Sequence, residues 1–210
     1  MNATQLQKTL RASQYAEQVL ANHQSLLEQD YAIDQFQAAL SREYIDQLVQ
    51  HCILNIIDEA AWMRAMRILR ARLMFRWIWQ DANQLTDVIT LTRELSDFAD
   101  ACICAAKDFA RMPIAAKYGQ PIAYNGKVQD LIVIAMGKLG AQELNLSSDI
   151  DLIFAFDEQG ETDGRKCIDV QQFCILWGQK LIHLLDQITA DGNVFRVDMR
   201  LRPWGDGSAL

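Results

Sequence analysis

The sequence predicts an α+β chain: a helical region over residues 1–120 followed by a mixed sheet over residues 121–210. Three observations carry this. Between Thr4 and about Ala116, apolar residues recur at spacings of three and four, with no proline before Pro113 and no glycine before Gly119. A cluster of turn formers, Tyr118, Gly119, Gln120, Pro121 and Asn125-Gly126, then interrupts the pattern. Beyond it, short β-branched runs and one helix-period segment follow in the order strand, loop, strand, helix, strand.

Within the helical region, Glu59 to Gln80 is the clearest segment. Trp62, Met66, Leu69, Leu73 and Trp77 form one stripe, and Arg64, Arg67 and Arg72 lie off it as a solvated basic face or, alternatively, as phosphate contacts. Trp77 and Trp79 read as core or inter-domain packing. In the second region, Leu131 to Met136 reads as a buried strand and Ile150 to Phe156 as another. Ile168 to Asp186 reads as a helix with Phe173, Trp177, Leu181 and Leu184 on one side, and Val194 to Leu201 as a third strand. His183 falls near the apolar stripe of that helix and reads as structural.

Half of the 210 residues are apolar, enough to bury a substantial core. No run of about 18 uncharged apolar residues occurs and the N-terminus is polar, so neither membrane insertion nor secretion is expected. The five cysteines show no metal or redox spacing and read as buried, reduced thiols of a cytoplasmic protein, with Cys102 and Cys104 on different faces of their helix. A net charge of −7 disfavours broad attraction to nucleic acid and points to a protein or small-molecule partner.

The residues that carry chemistry lie in the second region. In a strand, Asp149 and Asp151 project to one side while Ile150 and Leu152 enter the core. Their backbones are then about 6.5 to 7 Å apart, which lets two carboxylates converge on a hard cation such as Mg2+. Further on, Arg196, Asp198, Arg200 and Arg202 alternate with Val197, Met199 and Leu201. If this strand neighbours the Asp149/Asp151 strand, Asp198 completes a three-carboxylate site and the arginines offset negative charge or grip phosphate oxygens. On a solvated face, the same arginines and Asp198 would instead form a cross-strand ion-pair ladder. Gly137 and Gly140 suit a tight phosphate-side turn, because glycine admits positive φ and lets a backbone N–H approach an anion. Ser147 and Ser148 add hydroxyls just ahead of Asp149. Lys138 does not make this a P-loop, whose glycines are spaced differently.

The runs Gly137-Lys138-Leu139-Gly140, Glu143-Leu144-Asn145, Ser147-Ser148-Asp149-Ile150-Asp151-Leu152-Ile153-Phe154 and Arg196-Val197-Asp198-Met199-Arg200-Leu201-Arg202-Pro203 resemble the N-terminal half of the bacterial glutamine synthetase adenylyltransferase/adenylyl-removing enzymes. These belong to the DNA polymerase beta-like nucleotidyltransferase superfamily. The resemblance extends through the helical region, with Arg64-x-x-Arg67 and Asp186-Gln187 included. It implies that Asp149, Asp151 and Asp198 are catalytic and hold Mg2+, and that Gly137, Lys138, Gly140, Ser147, Ser148, Arg200 and Arg202 bind nucleotide or phosphate. It further implies ATP or ADP and phosphate as substrates, and glutamine synthetase and the PII signal protein as partners, in the control of nitrogen metabolism. The N-terminal half of such enzymes removes AMP from a tyrosine of glutamine synthetase by phosphorolysis, giving ADP, and the C-terminal half attaches it. Because the family pattern continues past Arg-Leu-Arg-Pro, the sheet domain is expected to be incomplete here and the second catalytic domain absent. The alternative is a catalytically incomplete fragment that serves as a folded binding or interaction module.

Overall fold

A computed structural model describes residues 3–31 and 38–199; Arg200, Arg202 and the predicted end of the third strand at Leu201 lie outside the described residues. The α+β class is realised. Helices α1 (Ala3–Ala12), α2 (Gln14–Tyr31), α3 (Arg42–Cys52), α4 (Glu59–Ala82) and α5 (Val88–Tyr118) precede β1 (Pro121–Ala123), β2 (Ile132–Met136), α6 (Gly137–Gly140), β3 (Ile150–Ala155), β4 (Gly160–Thr162), α7 (Val170–Asp186) and β5 (Val197–Asp198). Helix gives way to strand where the turn formers stand: the N–H of Gly119, at φ +83°, still bonds back to the Ala115 carbonyl, and β1 starts two residues later. The compact units divide elsewhere. The first runs to Phe98 and takes in Gln142–Ser148, and the second comprises Ala99–Ala141 and the chain from Asp149 onward, so α5 passes through the division.

The first unit is organised around α4. Asp58 caps it by accepting the Ala61 N–H at 2.8 Å, and α1, α2 and α3 all pack against it. The predicted apolar stripe is buried, but burial does not stop at a stripe: every residue from Leu73 to Gln80 is inside. This corrects the expected solvated basic face. Arg64 is exposed, but Arg67 is only 1% exposed and donates from Nη1 to the Met63 carbonyl at 2.9 Å, while Arg72 is half-buried and paired with Asp30. Toward its C-terminal half the helix, packed against three others, has little side left for a solvated face, and the long arginine side chains reach acceptors from within the packing. Trp77 and Trp79 are core residues of this unit.

A buried charge node joins α4 to α5. Glu94 accepts from Arg76 Nη1 and Trp77 Nε1, both at 2.7 Å to the same oxygen, and its other oxygen accepts the Leu40 N–H at 2.9 Å. Arg76 also donates to the Ala38 carbonyl, and burial holds its guanidinium below the usual arginine pKa, with the Glu94 charge opposing that shift. The segment ahead of β3 belongs to this unit as well. Leu144 is fully buried with its N–H on Ser96 Oγ at 3.1 Å, and Leu146 packs on the cluster of Ala16, Leu27, Phe75 and Trp79.

In the second unit β1 pairs with β4, and a separate sheet has the order β2-β3-β5. Helix α7, capped by Asp169 onto the Gln172 N–H at 2.6 Å, buries the predicted face of Phe173, Trp177, Leu181 and Leu184. Gly178 sets how closely α7 approaches the sheet, because a Cβ there would stand 2.6 Å from the Phe154 ring. Trp177 donates to the Lys107 carbonyl at 2.7 Å and meets the Phe173 ring edge-on at 5.8 Å. His183, which the sequence places near the apolar stripe, is exposed on the last turn of α7.

The predicted buried strand is corrected too. Ile132, Ile134 and Met136 on β2 are 45%, 43% and 37% exposed. They share the face of Ala155, Ile153 and Asp151, whereas the buried alternates Ile150, Leu152 and Phe154 face the core. A continuous apolar run carries no alternation, so it cannot reveal that only one face of the sheet is covered.

All five cysteines are free; Cys102 and Cys174 are buried, Cys52 is half-buried, and Cys104 and Cys167 are exposed, so the expectation of buried thiols holds for only part of the set. Burial, assisted by the Asp130 charge, pushes the Cys174 thiol up to about 11. Alkylation at pH 8 read by mass spectrometry is expected to label Cys104 and Cys167 in the folded chain, and Cys102 and Cys174 only after denaturation. Glu94→Ala, which strands the Arg76 charge, is expected to cost about 3–5 kcal/mol in urea unfolding.

Candidate active site

The site is built on the middle of the β2-β3-β5 sheet. Strand β2 runs antiparallel to β3, with Ile134 opposite Ile153 and Met136 opposite Asp151, and β5 runs parallel to β3, with Ile150 beside Val197 and Asp151 beside Asp198. The adjacency on which the three-carboxylate expectation depends is therefore present: Asp151 and Asp198 sit side by side on neighbouring strands, about 4.8 Å apart at the backbone. Both are half-buried. Position is set by backbone bonds on either side. The Ile150 N–H donates to the Arg196 carbonyl at 2.9 Å, and the Val194 and Phe195 N–H groups both donate to the Leu185 carbonyl, at 2.8 and 3.1 Å, tying the approach to β5 onto the end of α7.

Gly137 closes the site from the end of β2. Its φ is +55°, in the region that favours glycine, and a Cβ there would stand 2.5 Å from Asp151 Oδ2. The backbone of the turn thus lies directly against a carboxylate, and Met136, which leads into it, is the register partner of Asp151. Gly140 is needed for space rather than for φ, since a Cβ would meet the Ala135 carbonyl oxygen at 2.6 Å. Lys138 is exposed in the same turn.

Asp149 has a different neighbour. Two positions ahead of the Asp151/Asp198 pair, Arg196 Nε donates to Asp149 Oδ1, with side chains 64% and 44% exposed. Among the described residues no three His, Cys, Asp or Glu side chains gather closely enough to hold a metal ion. The arrangement thus presents two adjacent carboxylates beside a glycine turn and a third carboxylate neutralised by an arginine.

The comparisons with known proteins bear on this geometry. The family model for glutamate-ammonia ligase adenylyltransferase matches residues 3–210. The chain belongs to that family. It is 78% identical over 210 residues to a bifunctional glutamine synthetase adenylyltransferase/adenylyl-removing enzyme of Acinetobacter baylyi, covering 100% of this chain and 23% of that protein. Enzymes of the same description from Thioalkalivibrio sulfidiphilus and Hahella chejuensis are 49% identical over 153 residues and 50% over 155, each covering 73% of this chain and 16% of the relative. The chain thus spans about a quarter or less of the length of these curated relatives. No described helix is long and apolar enough to cross a membrane.

Within the family match, Gly137, Lys138, Gly140, Asp149, Asp151 and Asp198 all fall in the second unit, whereas Ser147 and Ser148 belong to the first. There the serines are organised by a residue whose role the sequence reading missed. Asn145 Oδ1 accepts the Ser147 N–H at 3.2 Å and the Ser148 hydroxyl at 2.7 Å, and the Asn145 carbonyl accepts the Ser148 N–H at 3.2 Å. The available signal was an asparagine two residues before a serine, the pattern of an Asx turn. The pairing of Asp149 with Arg196, 47 positions away, had no comparable local signal.

Two glycine substitutions separate the cost of backbone conformation from that of the carboxylate contact. Gly126 also has a positive φ, of +84°, but a Cβ there meets nothing within 4 Å. Gly126→Ala is expected to lower stability by about 1–2 kcal/mol in thermal unfolding, the cost of a left-handed non-glycine residue. Gly137→Ala is expected to cost measurably more, because it must also displace the Asp151 carboxylate.

Proposed function

We propose that this chain carries an adenylyl-removing site acting on glutamine synthetase: a phosphate oxygen attacks the phosphorus of the tyrosine-bound AMP, the bond from that phosphorus to the tyrosyl oxygen breaks, ADP forms, and the tyrosyl oxygen takes up a proton. The observation that carries the reading is the parallel register of β3 and β5, which sets Asp151 beside Asp198 next to the Gly137 turn. Family membership and the names of the relatives support adenylyl transfer on glutamine synthetase, and the Glu-Leu-Asn-Leu-Ser-Ser-Asp wording of residues 143–149 favours the removing direction by its resemblance to the N-terminal copy.

The residues present suit a hard divalent cation. They offer carboxylate oxygens only, on adjacent strands, beside a turn whose first residue has no side chain. Asp149, Asp151 and Asp198 would hold Mg2+. When bound, the ion supplies charge neutralisation at the phosphoryl group and Lewis-acid polarisation of it. The chain's own contributions are positional. The β3/β5 pairing holds two carboxylates on one edge, the Gly137 backbone limits the freedom of Asp151, and exposed Lys138 lies in the same turn for contact with a phosphate oxygen. Arg200 and Arg202 extend the β5 sequence beyond the described residues and belong to this reading as further phosphate contacts. The proposed setting is the cytoplasm, with the PII protein as regulator and ATP as the substrate of the separate, opposing adenylylating activity in the longer relatives.

A second reading, a folded binding module without turnover, is favoured by one observation: Asp149 is paired with Arg196, and no three-ligand group stands assembled among the described residues.

The assay that decides between them incubates the chain with AMP-modified glutamine synthetase, phosphate, Mg2+ and PII. ADP formation is expected, reduced by more than roughly 100-fold in Asp151→Asn and in Asp149→Asn with folding retained. No ADP from the unmodified chain, together with Mg2+-independent ADP binding in calorimetry, would establish the binding module.

A further inference from the structure

Asp149 and Arg196 face each other just ahead of β3 and β5, two positions before the Asp151/Asp198 pair, and the Ile150 N–H to Arg196 carbonyl bond holds the two backbones in that register. The cationic partner of Asp149 is the residue two before Asp198. Both side chains are substantially open to solvent, at 44% and 64% exposure. Exposed pairs of this kind contribute little net free energy, so a divalent cation can exchange with the guanidinium at small cost.

We infer that Arg196 is a built-in counter-ion for Asp149: a positioning residue that holds this carboxylate at the β3/β5 edge before the metal arrives and sets the metal affinity by competing for it. The inference rests on the carboxylate metal site proposed above. It assigns Arg196 a role distinct from phosphate gripping. In the metal-free chain the guanidinium offsets one of three neighbouring negative charges, which reduces their mutual repulsion and keeps Asp149 aimed along the edge. On binding, the cation takes over that offset and the guanidinium withdraws from Asp149 Oδ1. Its displacement is a fixed cost on metal affinity, present in every binding event.

The test measures Mn2+ binding to the full 210-residue chain by electron paramagnetic resonance, at fixed ionic strength, for the unmodified chain, Arg196→Gln, Arg196→Lys, Asp149→Asn and the Asp149→Asn/Arg196→Gln double variant. Arg196→Gln is expected to bind Mn2+ roughly two- to fivefold more tightly, the factor that corresponds to an exposed ion pair. Arg196→Lys, which retains the charge, is expected to stay close to the unmodified affinity. The gain from Arg196→Gln should vanish in the Asp149→Asn background, since the competition acts through Asp149. Equal or weaker binding by Arg196→Gln, with the unmodified chain still binding, overturns this inference and leaves the metal site standing. A gain that persists in the Asp149→Asn background also overturns it, because the effect is then one of general charge. No Mn2+ binding by the unmodified chain or by Arg196→Gln overturns the metal site, and this inference with it.

Discussion

The geometry of the candidate site depends on the pairing of β5 against β3, in which, among the described residues, two register pairs, Ile150 with Val197 and Asp151 with Asp198, join segments 47 positions apart. A strand's side chains alternate strictly, so a slip of one residue would carry Asp198 to the opposite face and bring Val197 or Met199 beside Asp151. A two-residue strand is too short to specify its register alone. The specification comes from its surroundings: the Val194 and Phe195 N–H groups share the Leu185 carbonyl, and α7, which ends there, is seated on β3 through the close approach of Gly178 to Phe154. Core packing of a helix therefore decides where a carboxylate sits on the other face of the sheet.

The two units use charge in opposite ways. In the first, Glu94 and Arg76 are almost fully buried, and Glu94 satisfies three donors at once, so the node is rigid and losing one member would leave an uncompensated charge in a low-dielectric interior. In the second, Asp149 and Arg196 are open to water and their attraction is largely screened. The buried pair is suited to holding helices and a neighbouring segment together. The exposed pair is suited to exchange, as the proposed cation site would require.

Much of the architecture was legible in the residue pattern. The change from helix to strand followed the turn formers around residue 120, the D-x-D segment lay at the start of a strand with Ile150 and Leu152 buried, and α7 buried the face its 3.6 period indicated. Gly137 was legible as a turn glycine, although the group its backbone meets is the Asp151 carboxylate. Other features were hidden. Arg67 and Arg76 lie inside because α4 is surrounded on several sides, and no single-helix periodicity carries that information. The half-exposed face of β2 was masked by its uniformly apolar composition, and the division within α5 at Phe98 has no mark in the local sequence.

By itself the sequence determined the helical region, the strands around residues 131–136 and 150–156, the helix α7, the spacing of Asp149 and Asp151 on one strand face, the glycine turn and the family, but not the β1/β4 pair, because the former depend on local backbone preference, strict alternation along a strand and the wording of contiguous motifs. Only the tertiary structure decided that Asp198 stands beside Asp151, that Asp149 is neutralised by Arg196, and that Ser147 and Ser148 are organised by Asn145 within the helical unit. Strand neighbours and ion-pair partners are chosen by packing between segments far apart in the chain, and a linear pattern holds no record of which distant segment will be adjacent.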